Sequence, residues 1–187
     1  LSFLMLFRPL DTGVAGGTLE MVAGNCTDPV ATTQCTIDSA FLSARTDFAN
    51  GTNGCISVVP GSTSGYSPGI SVPTNGNACF SSTATDISLS ILGIPLPLQD
   101  VQIGGEFTGG NPPTGITNGL IKGFVPETVA DSIILPADSP VGANQPLSSL
   151  LIGGSGNCDP GDDRDTYNSV VGWWVYLNYT AAAVPLQ

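Results

Sequence analysis

Histidine is missing from this chain altogether, and lysine occurs once. Without imidazole, a Ser-His-Asp or Cys-His mechanism has no general base, and the commonest metal ligand is gone as well. Four basic residues, Arg8, Arg45, Lys122 and Arg164, face 15 acidic ones, and the net charge is −11. Phosphate recognition needs clustered Lys and Arg, so neither nucleic acid nor an anionic membrane surface is an expected partner. No Cys-x-x-Cys pair occurs, which removes zinc-knuckle and thioredoxin patterns. No apolar run reaches the length of a membrane span. GSTSG and GGSGN match neither a nucleophile elbow nor a P-loop and are read as turns.

What is present points to a turn-rich β protein. The chain of 187 residues carries 24 Gly and 15 Pro, and twelve of its acids are Asp, a residue of turns and caps. With 41% hydrophobic residues and a mean hydropathy of +0.24, it has the material for one core. Spaced cysteines in a lysine-poor chain indicate an oxidising, extracytoplasmic compartment. The expected bridges are Cys26–Cys35, across a short loop, and Cys55–Cys79, across a longer one. Cys158 is left over. Sequons at Asn25, Asn50 and Asn178 matter only in a eukaryotic secretory pathway.

Residues 1–7, LSFLMLF, read as a strand buried on both faces, and RPLDTGVAGG after them as a Pro/Gly connector. Residues 1–17 therefore form an N-terminal strand and connector, and 18–187 a single β-rich domain. GTLEMVAGNC alternates with period two, Leu19, Met21 and Ala23 on one face. Ile37, Phe41 and Leu42 mark a short strand or helical turn. GCISVVPG reads as a strand stopped by Pro60, and residues 62–79 as a long ordered loop. Ile87, Leu89 and Ile91 alternate with serines; Pro95 and Pro97 confine the next piece to an edge or crossover. Gly104-Gly105 suggests a bulge. GFVPETVADSIILP is the best helix, with Pro126 at its first position and Val125, Val129, Ile133 and Ile134 on its apolar face. QPLSSLLIGG is a second short helix, and the segment from Gly172 onward a long aromatic strand. The expected fold is mainly β: a disulfide-stapled β-sandwich or jelly roll with one or two short helices.

The stretches GLIKGFVPETVADSIILP, QPLSSLLIGGSGNCDPGDDRD and GWWVYLNYTA resemble the C-terminal half of uncharacterised secreted proteins and lipoproteins of myxobacteria-like Gram-negative bacteria. The resemblance implies export across the inner membrane. It brings no activity and no functional residue with it.

Asp159, Asp162, Asp163 and Asp165 crowd around Pro160-Gly161. They offer oxygens for Ca²⁺ without EF-hand spacing; the competing reading is a solvated turn or a loop bridged by Arg164. Glu106 and Glu127 are the other carboxylates a glycosidase would need, but no motif supports catalysis, and Glu127 is explained by a helix first turn. Trp173 and Trp174 point to opposite faces of a strand, so one at most lies in the core and the other faces solvent or a partner. Leu1, Phe3, Leu4, Met5, Leu6 and Phe7 form a strand that needs a sandwich, either its own or a neighbour's. These readings converge on a non-enzymatic extracellular or cell-surface protein, a self-assembling surface or filament subunit contacting its copies through the N-terminal strand. The alternative is a secreted glycan-binding module or adhesin with a Ca²⁺-stabilised loop. No cofactor beyond Ca²⁺ is implied.

Overall fold

The computed structural model describes residues 2–27, 34–38, 44–53, 55–64, 66–91, 94–139 and 141–186. Ten strands occur among them: β1 (Ser2–Arg8), β2 (Gly16–Cys26), β3 (Cys35–Ile37), β4 (Ala44–Gly51), β5 (Cys79–Ser82), β6 (Thr85–Ile91), β7 (Ile94–Gly109), β8 (Pro113–Pro126), β9 (Asp165–Tyr167) and β10 (Val170–Ala182). They belong to one antiparallel sheet in the order β1-β2-β4-β5-β7-β8-β10-β9; β3 pairs with β2, and β6 with β7. The protein is mainly β and stapled by two disulfides, Cys26–Cys35 and Cys55–Cys79. Cys158 is free and exposed. Phe41 and Leu42 lie outside the described residues.

The sheet curls over on itself. Leu19 and Met21 of β2, Phe48 of β4, Phe80 of β5, Ile103 of β7, Val125 of β8 and Trp173 of β10 share one buried cluster, which a flat sheet of this width would not allow. Phe7 of β1 sits edge-on to Phe48, Phe80 and Phe107, with ring centroids 5.2, 4.9 and 5.8 Å away. The layers of the expected sandwich are thus parts of one rolled sheet. Register shifts between Gly104 and Glu106 put a bulge where the glycine pair predicts it. A Cβ on Gly104 would lie 2.7 Å from the Phe80 carbonyl oxygen, so only glycine fits. Pro95 and Pro97 pair with Ser90 and Ser88 of β6, and β8 joins β7 only from Gln99 onward. The proline stretch is therefore edge-like, as its missing N–H groups require.

Three local expectations change. The helix, α1, is one short piece, Glu127–Ser132, with Pro126 as its N-cap rather than its first helical residue. Its buried residue is Ala130; Val125 belongs to β8, and Ile134 is exposed. Residues 147–150 form only a 3₁₀ turn. GCISVVPG is not a strand: residues 55–59 run as loop, and Ile56 is buried against the second face of the sheet. Among the described residues no helix is long and apolar enough to cross a membrane.

Candidate functional site

Three of the four aspartates of the acidic loop go to separate partners, while Asp165 Oδ2 is buried without one among the described residues. Asp159 Oδ1 accepts the Gly161 N–H at 2.9 Å, a local turn. Arg164 donates from Nε to Asp162 Oδ1 at 2.9 Å and from a terminal nitrogen to Oδ2 at 2.8 Å; its other terminal nitrogen reaches Glu127 Oε1 at 2.9 Å. The Arg164 side-chain hydrogen bonds, above all, hold the Asp162 carboxyl at about 2. Asp163 accepts from the Ser64 hydroxyl at 3.1 Å, and Asp165 opens β9. Among the described residues no three His, Cys, Asp or Glu side chains gather as a metal site. The Arg164-bridged loop is the arrangement present, and it ties the acidic segment to α1.

Glu106 is buried just past the β7 bulge. It accepts from the Thr74 N–H, from the Asn77 amide at 2.8 Å and from the Asn118 amide at 3.0 Å. These donors, Asn118 first, hold the carboxyl at about 2. The carboxylate pins the long loop to β7 and β8, a structural task that composition alone did not reveal.

Both tryptophans are buried, Trp173 at 3% exposure and Trp174 at 7%. The alternation is right; the expectation that one ring faces solvent is not. The loop from Cys55 to Cys79 covers the outer face of β8 and β10. Trp174 packs there with Ile56, Leu120, Phe124 and Tyr176. The Tyr176 hydroxyl accepts the Val59 N–H at 2.9 Å and lies 2.5 Å from the Ser62 hydroxyl. Tyr66 donates its hydroxyl to the Trp174 carbonyl at 3.0 Å and accepts the Tyr176 N–H at 3.2 Å, occupying the outer edge of β10 at that level. Asn178 exchanges two hydrogen bonds with Ser71.

The N-terminal residues Phe3, Leu4, Met5, Leu6 and Phe7 lie in β1, paired residue by residue with β2 of the same chain; Leu1 is outside the described residues. Leu4 is buried against Val22 and Cys35, with Leu6 and Val184 beside it, while Met5 and Phe7 pack onto the main core. Phe3 is 49% exposed. Beyond β1, between it and the far end of β10, lies an apolar cavity of about 470 Å³ without a charged side chain in its walls. Phe3, Leu10 and Leu186, all exposed, belong to its lining. Sequence reasoning found the strand but missed the cavity, which depends on the curl of the whole sheet. No family model, curated protein or solved structure matches the chain.

Proposed function

We propose that this is a non-enzymatic extracellular structural protein, a cell-surface or filament subunit exported from a Gram-negative bacterium, whose copies associate through β1. The observation that carries this reading is the outer edge of β1. From Ser2 to Phe7 the strand has no charge, and among the described residues it pairs with β2 alone. Soluble proteins protect such edges with charge, proline or a cover, because an open apolar edge recruits another strand. A contact between unlike edges does not close and propagates as a fibre. Two disulfides support an oxidising compartment, and the resemblance of the C-terminal half supports export. The absence of histidine and the structural use of Glu106 support a role without catalysis. The alternative glycan-binding reading draws no support from the indoles, both of which are covered.

Sedimentation velocity tests the proposal. The intact chain is expected to form large assemblies, and Phe3→Lys, which places a charge on the exposed part of the edge, to sediment as a folded 19.0 kDa monomer. An intact chain that stays monomeric at high concentration overturns it.

A further inference from the structure

Seven lanes follow one another around the sheet, β1, β2, β4, β5, β7, β8 and β10, each antiparallel to the last. With an odd number of alternating lanes, the first and last run the same way. β1 and β10 are therefore parallel, and an all-antiparallel roll closes only with an eighth strand between them. β9 starts that lane, but it pairs only with Val170, Val171 and Gly172. Further along, Tyr66 caps the edge of β10 at Trp174 and Tyr176. Among the described residues nothing pairs with the outer backbone edge of residues 178–182, or with that of β1.

The apolar cavity opens between these two edges, with which no described residue pairs, and reaches into the roll, where Met21, Phe107, Ile116 and Ile121 line it. Its walls include every residue of 3–7 and of 179–184. A strand that faces a cavity lends it alternate residues; consecutive ones mean that the cavity meets the strand edge-on. The chain leaving β10 confirms that the two ends are neighbours: Val184 packs against Leu4 and Val22, and the Cys35 N–H donates to the Pro185 carbonyl at 3.1 Å. We propose that the gap between β1 and β10 is an acceptor lane for an extended apolar segment of a partner polypeptide, which enters antiparallel to both strands, becomes the eighth strand and places alternate side chains in the cavity.

The occupant follows from the walls. Both edges present N–H and C=O groups, which a peptide backbone satisfies and an acyl chain would bury unpaired. No charged residue occurs in 3–7 or 177–186, so the paired residues of the partner are uncharged; the −11 net charge favours a neutral or basic flank. The chain's own β1 does not solve the deficit. Each copy brings one terminal strand and offers two lanes, that strand's own and the eighth, so exchange among copies leaves one lane empty. Contact between copies through β1 would use the same outer edge, so the titration is made at a concentration where the chain is monomeric, and a peptide that fills the lane should disperse any assemblies.

The test uses the intact chain and a nine-residue peptide of alternating valine and threonine with a lysine at each end. Isothermal titration should show saturable one-to-one binding. Amide exchange should slow at least tenfold along β1 and residues 178–182. A peptide of the same composition with a central proline should bind at least tenfold more weakly, because it lacks the N–H the ladder needs. Ala181→Phe, which fills the cavity, should abolish binding without lowering the melting temperature. Should that variant unfold, edge protection in the unmodified chain still decides. The uncharged detergent dodecyl maltoside, below its micellar concentration, tests a lipid-like hydrocarbon chain as the occupant. Stoichiometric detergent binding without edge protection, or no binding of the peptide, overturns the proposal.

Discussion

Single residues do structural work where composition offered chemistry. Glu106 was weighed as a catalytic carboxylate; three donors instead fix it in its charged form, at about 2. The unfolded chain takes up this proton near the ordinary value of 4.5, and the folded one only near 2. Between those values the unfolded state binds more protons, so stability is complete above about 4.5 and falls as the pH is lowered towards 2. Glu106→Gln should cost ~1–3 kcal/mol at neutral pH, the usual loss when buried donors lose an ionised acceptor. It should also flatten the acid limb of the stability curve. Urea unfolding at pH 7 and pH 3 measures both; an unchanged acid limb would show that other carboxylates set it. Asp162 belongs to the same class. Its two oxygens are held by Arg164, which also reaches Glu127. The loop stays acidic, but among the described residues its carboxylates do not converge on one point, so EDTA or millimolar Ca²⁺ should leave the melting temperature unchanged. A rise with Ca²⁺ would restore the cation reading, because a ligand of the folded state alone stabilises it.

At the scale of elements, the covering loop is the feature to perturb. The Cys55–Cys79 bridge closes a separation of 24 residues, and Tyr66, Tyr176 and Asn178 fasten what lies between. Replacing both cysteines by alanine should cost ~3 kcal/mol. It should also shift tryptophan emission to the red as water reaches Trp174; an unshifted spectrum would mean that the tyrosine contacts suffice. This loop also marks the limit of what the sequence discloses. Cysteine spacing, the strand over Thr85–Ile91 and the Gly104-Gly105 bulge are local signals and were legible. GCISVVPG resembled a strand because a short apolar run looks the same whether it pairs or covers. One of the two tryptophans was expected outside the core because strand alternation names the two faces of a strand without saying what lies over each. That cover comes from residues more than a hundred positions away, as the Val59–Tyr176 hydrogen bond shows. The cavity was illegible for the same reason: parity, curl and free edges belong to the set of strands and to none of them singly.

For the whole molecule, the question is whether β1 is part of the fold or a handle for other chains, and its side chains divide the two tasks. Phe7 touches three aromatic rings on three other strands, and Met5 packs onto the same core. Removing residues 1–7 would therefore strip core as well as edge, and a folded truncated monomer is not expected. Phe7→Ala alone should cost ~3–5 kcal/mol through lost burial and a cavity. That is a large part of the ~5–15 kcal/mol a domain possesses, so this variant should melt far lower or arrive unfolded. Phe3 makes the opposite case. Half exposed and at the open end of the strand, it contributes little to the core, and Phe3→Lys should keep the melting temperature within a few degrees. The pair separates the roles. Circular dichroism melts read the first, and sedimentation of the folded variant reads the second. If Phe3→Lys proves as damaging as Phe7→Ala, the whole strand is committed to the core and contact between copies must use another surface. If Phe7→Ala stays fully stable, β1 is an appendage whose pairing with β2 is dispensable. The expected result lies between: a strand whose inner residues hold the roll together while its outer edge stays open to a partner.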